Sequence, residues 1–157
     1  MYIATVIGLM LIFPTASVLF ELVLEHHGVL NGYVVGKWFV FWAVGVRLLI
    51  AGIRQIVQPR YTAETILGIK DPDAMLVVRE LGFANTAIGS AGLGSVFLPG
   101  WILPVAIIGA VFYGLAGINH ITHGRRNTLQ NVAMTSDLFA AAVLIIICLV
   151  NFSRTAP

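Results

Sequence analysis

Residues 38–57, WFVFWAVGVRLLIAGIRQIV, decide the fold. The stretch is apolar almost throughout, and as a helix it is long enough to cross a hydrocarbon core. Its hydrophobicity is continuous rather than alternating, which favours a helix over a barrel strand. Similar runs occupy 2–20, 81–98, 101–118 and 138–152. Hydrophobic residues make up 59% of the 157-residue chain and charged residues 10%, against about 25% charged in a soluble domain. A chain this short cannot hide so much apolar surface inside one water-facing globule. The expected fold is all-α: a polytopic transmembrane bundle of five helices. It forms one domain over 1–157, with a peripheral first helix at 2–24 and a four-helix core at 38–152.

Local features refine this expectation. Pro14 predicts a kink in the first run, with Thr15 and Ser17 available to satisfy freed backbone groups. Gly28–Gly36 reads as a turn or re-entrant connection. Trp38, Phe39, Phe41 and Trp42 form an interfacial aromatic cluster at the start of the second span. The hydrophilic stretch 58–78 predicts a short interfacial helix over Thr62–Ile69, capped by Thr62. The third span, Met75 to Leu98, is rich in Gly and Ala, a composition that lets membrane helices approach closely. Pro99-Gly100 closes a tight hairpin, so the third and fourth spans are expected to pack as an antiparallel pair. The last span is expected to begin near Ser136, as its cap, with Asp137 at the positive helix terminus.

Charge sets the topology. Arg54, Arg60, Lys70, Arg79, Arg125 and Arg126 fall on one side of five crossings, and Lys37 and Arg154 on the other. By the positive-inside rule the N-terminus is cytoplasmic and the C-terminus external, in the inner (plasma) membrane. No aromatic-interleaved basic patch exists, so nucleic acid is not an expected partner. The expected partners are membrane lipids and a second copy or a larger membrane complex. No basic region precedes the first run, which is therefore read as a retained helix and not a signal peptide. The single cysteine, Cys148, excludes an intrachain disulfide and reads as a small buried filler.

The polar residues within or beside the spans locate a candidate site. Arg47 lies halfway along its span, where an unpaired arginine costs about 2.5–3.5 kcal/mol on insertion scales. Its expected partner is Glu80, with Asp137 second. Arg54 lies seven residues on and nearly on the same face. Glu80, Asn85, Asn119, His120, His123, Asn131 and Asp137 cluster near the same helix ends. Together these nine residues are the candidate ligand-binding set, and each also has a plain reading as helix-to-helix pairing. His120 and His123, one turn apart, allow metal or haem ligation, proton relay or interfacial hydrogen bonding. No third ligand follows in sequence, so no cofactor is assigned. Glu21, Glu25, His26 and His27 form a second polar group at the opposite side, read as a solvated helix end or an external divalent-metal site. No Walker, dinucleotide, nucleophile-elbow or HExxH pattern occurs.

Arg79-Glu80-Leu81-Gly82-Phe83-Ala84-Asn85-Thr86-Ala87-Ile88-Gly89 resembles the glutamate–glycine–phenylalanine–alanine–asparagine motif of an uncharacterised family of small bacterial and archaeal membrane proteins, distantly similar to DoxX-like proteins. Gly117-Ile118-Asn119-His120-Ile121 resembles that family's histidine-bearing helix end, although Asn119 stands where the family has glycine. Asn127, Asn131 and Asp137 match its spaced asparagines and acidic helix start. The resemblance spans roughly 38–150. It implies a helical bundle, draws attention to Glu80, Asn85, His120, Asn131 and Asp137, and implies no reaction.

The leading functional reading is an accessory or structural subunit of a membrane complex. One alternative is a transporter or binding protein for a small amphiphile or anion, in which Arg47 and Arg54 neutralise the ligand. The other is a membrane-embedded quinone or lipid oxidoreductase with His120 as acid/base or axial ligand. Whether the chain is an enzyme stays open on sequence alone.

Overall fold

The computed structural model describes residues 2–24, 31–122 and 126–155, with side chains through Asn151. Five long helices carry the fold: α1 (Tyr2–Leu24), α2 (Gly32–Val57), α3 (Ala74–Gly94), α4 (Ile102–Thr122) and α5 (Thr128–Thr155). No strand occurs among the described residues. α1, α2, α4 (from the turn at Pro99) and α5 are long and apolar enough to cross a membrane, and α3 falls outside that group. The chain is a polytopic, membrane-type helical bundle.

Consecutive helices alternate in direction. The core lies between α2, α4 and α5, where Val40, Val44, Tyr113, Ala140 and Leu144 are fully or almost fully buried. α1 adds Val6 and Met10, while α3 adds only the partly buried Ile88 and Ala91. Large apolar side chains such as Phe20, Phe83, Val111, Leu115 and Leu149 are exposed on the outside of the bundle, the pattern expected when lipid is the outer solvent.

Glycine placement decides the pairing, and it differs from the expected α3–α4 hairpin. α3 lies chiefly along α2, and α4 along α5. Gly45 and Gly52 of α2 are seven residues apart, as are Gly82 and Gly89 of α3. The two sets meet backbone to backbone: a Cβ on Gly89 would stand 2.5 Å from the Leu49 nitrogen, and one on Gly92 2.6 Å from Gly45. α4 uses its own glycines against α5, with Gly117 against Leu138 and Gly109 against Leu144 and Val44. Small residues on both partners allow the closest approach, and the matching set for α3 lies on α2.

Two helices contain π-helical turns, Gly8–Ile12 in α1 and Val40–Val46 in α2. The first ends two residues before Pro14, whose missing N–H interrupts the regular ladder; α1 otherwise continues as one helix. The second ends at Arg47, whose backbone N–H reaches back five residues to the Trp42 carbonyl.

Helix starts also differ from expectation. α2 begins at Gly32, with the Asn31 side chain accepting from the Val34 N–H at 2.9 Å. Gly32–Gly36 is therefore helical; Gly28 to Leu30 lie outside the described residues. α5 begins at Thr128, eight residues before Ser136. Its start is held by reciprocal bonds: the Gln130 N–H donates to Asn127 Oδ1 and the Asn127 N–H to Gln130 Oε1, both 2.8 Å. This is a capping box built from amides, which puts Ser136 and Asp137 deep in the helix. The hydrophilic stretch 58–78 contains a short π-helix, Tyr61–Leu67, closed by Gly68 at φ +73°. Thr62 is buried inside it and is not its cap.

Candidate functional site

Arg47 is the centre of the bundle's polar interior. Its guanidinium donates to Asp137 Oδ1 at 2.7 Å and to Ser136 Oγ at 2.9 Å. It also lies 4.8 Å from the ring centroid of Tyr113, in cation–π range. Tyr113 is almost fully buried, and its hydroxyl donates to the Ala43 carbonyl at 2.5 Å inside the π-helical turn of α2. Ser136 in turn donates to the Ala133 carbonyl. One charged pair, a hydroxyl and a ring thus bind α2, α4 and α5 together. Such a pair satisfies the arginine, because each charge loses water but gains an ionic hydrogen bond.

Beside this pair is a cavity of about 330 Å³ whose walls come from all five helices and from Tyr61–Leu67. That volume lies at the lower end of the range for small-molecule pockets. The walls are mainly apolar, with Leu9, Leu48, Ile50, Phe112 and Ala116 among them. Arg47, Arg54, Gln55, Asn85, His120 and Asp137 are among the polar residues, joined by several hydroxyl side chains. Gln55 and Asn85 cross from α2 to α3, with Asn85 Nδ2 donating to Gln55 Oε1 at 2.8 Å. Asn85 is 3% exposed, and its Oδ1 is buried with no hydrogen-bond partner. Arg54 stacks over the Tyr61 ring at 3.6 Å and makes no ion pair among the described residues.

The short helix that bears Tyr61 is fastened to the start of α5. Asn127 Nδ2 donates to the Ile66 carbonyl at 3.2 Å, and Gln130 Nε2 to the Leu67 carbonyl at 3.1 Å. The α5 capping pair therefore also holds one wall of the cavity.

Of the nine sequence candidates, Arg47, Arg54, Asn85, His120 and Asp137 line the cavity. Glu80 does not: it is exposed on α3, and the expected Arg47–Glu80 pair is replaced by Arg47–Asp137. The reason is the early start of α5, which carries Asp137 to the depth of Arg47. Asn119 is exposed on α4, and its carbonyl accepts from the Thr122 hydroxyl. Asn131 is exposed and accepts from Arg126 Nε at 3.0 Å. His123 lies outside the described residues. No metal-holding group of His, Cys, Asp or Glu occurs among the described residues. At the other end of the bundle, Glu21 accepts from Trp38 Nε1 and pairs with Lys37 at 2.5 Å, clasping α1 to α2; Glu25, His26 and His27 lie outside the described residues.

Sequence reasoning missed Gln55, Tyr61 and Tyr113. Tyr113 carried a signal, since a phenol in the middle of an apolar helix must find a partner. Gln55 carried a similar one, as an amide seven residues beyond the buried Leu48. The chain matches no protein-family model, no curated protein and no solved structure.

Proposed function

We propose that this protein binds one small amphiphile inside the membrane, in the cavity beside the Arg47–Asp137 pair. The cavity itself carries the reading. An architectural subunit needs the ion pair to fix helix order, but it does not need an open space lined by Arg54, Asn85 and His120. Mostly apolar walls with a few polar groups suit a molecule with an apolar body and a polar head. α3 is read as a fifth crossing, because its glycines follow α2 from Gly52 to Gly45. The cavity end is placed on the cytoplasmic side, where Arg54, Arg60, Lys70, Arg79 and Arg126 gather. On this reading the Arg79–Gly89 motif has two uses: its glycines seat α3 on α2, and its asparagine faces the ligand.

The test is native mass spectrometry of the full chain from gently extracted membranes. Wild type should carry an amphiphile, and Ala116→Phe, which fills the cavity from α4, should not. A ligand-free wild-type chain with a stoichiometric protein partner would instead establish the accessory-subunit reading.

A further inference from the structure

The cavity's unmatched groups describe the head of its ligand. Arg47 has its counter-charge in Asp137, so Arg54 brings a surplus positive charge to the cavity. Stacked face-on over Tyr61, a guanidinium keeps the N–H groups along its edge available. Next in sequence, Gln55 holds Asn85, whose buried Oδ1 lacks a partner. A buried acceptor without a donor is costly, and a hydroxyl completes a side-chain amide in either orientation, since it both donates and accepts.

We infer that the ligand is a single-chain amphiphile whose head joins an anionic group to a neighbouring hydroxyl, the anion on Arg54 and the hydroxyl on Asn85. The inference rests on the cavity being a binding site. The volume of about 330 Å³ favours one chain over two. An acylated glycerol phosphate has this head chemistry, whether it comes from the bilayer or from solution.

Three probes of equal chain length separate the contributions: decanoyl glycerol 3-phosphate, neutral decanoyl glycerol, and decanoyl propanediol phosphate, which lacks the hydroxyl. Binding to the full-length protein in detergent is measured at about pH 8, where a phosphate monoester has lost its second proton. The first probe should bind at least about tenfold tighter than either of the others, the scale of one lost hydrogen bond to a buried or charged group. Arg54→Gln should abolish the preference for phosphate and leave decanoyl glycerol binding intact. Asn85→Leu should abolish the preference for the hydroxyl. Equal binding of all three probes, blocked by Ala116→Phe, overturns the head-group assignment and leaves amphiphile binding standing. No binding of any probe, or binding indifferent to Ala116→Phe, overturns both.

Discussion

At the scale of single residues, Arg47 and Asp137 are the two charges whose loss is felt most. Asp137→Ala leaves a buried guanidinium without its counter-charge, beside a hydroxyl, a thioether and a ring. The expected cost is about 3–5 kcal/mol, read as a fall in the thermal unfolding midpoint in detergent. The double variant Arg47→Met/Asp137→Leu should recover most of that loss, because it removes both desolvated charges together. A double variant as unstable as Asp137→Ala would show that the pair is not the source of the effect. The charged residue was legible in the sequence because an arginine in mid-span has so few solutions. Its partner was legible only as the second choice after Glu80, because the depth of Asp137 depends on where α5 starts. That start is set by the Asn127–Gln130 pair, which lies in a polar segment that hydropathy alone reads as a loop.

At the scale of elements, helix contacts follow the glycines rather than the order of the chain. Gly92→Val places a branched side chain where even a Cβ would be 2.6 Å from Gly45. It should destabilise the protein by about 1–3 kcal/mol, as overpacking does. Gly114→Ala is the control, since its Cβ would meet Ala141 at an ordinary 3.8 Å. That change should be neutral or slightly stabilising through helix propensity. Equal losses in the two variants would argue against close α2–α3 packing. The small-residue character of α3 was plain from sequence, but its partner was not. Adjacency along the chain pointed to α4, whereas the matched seven-residue glycine spacings pointed to α2. The polar side chains of α3 follow the same division. Asn85 faces inward to Gln55, while Glu80 stays on the outer side.

At the scale of the whole molecule, the helical membrane bundle was legible from hydrophobic length, and the number of crossings was less so. α3, expected from the sequence as the third span, falls outside the helices long and apolar enough to cross, yet it runs beside α2. In a Cys148→Ser background, Lys70→Cys and Gly100→Cys lie at opposite ends of α3, both exposed. A membrane-impermeant maleimide should label Lys70→Cys only after access to the cytoplasm, and Gly100→Cys from outside. Labelling of both from one side would remove α3 from the count of crossings. The cavity was legible in part: five of the nine polar residues singled out in the sequence line it, but its apolar walls come from five helices and no single stretch encodes them. The π-helical turn of α2 has a last consequence for the molecule's tolerance of change. A π turn closes its hydrogen-bonded ring one residue later than an α turn, so 40–46 holds a residue of slack. A one-residue deletion there would be absorbed by reversion to α-helix. The clasp of Glu21 on Lys37 and Trp38 and the bearing of Arg47 would both survive it. The same deletion between Arg47 and Arg54, in regular α-helix, would instead turn Arg54 by about 100° against Arg47. The middle of α2 is thus a length buffer between the two ends of one rod.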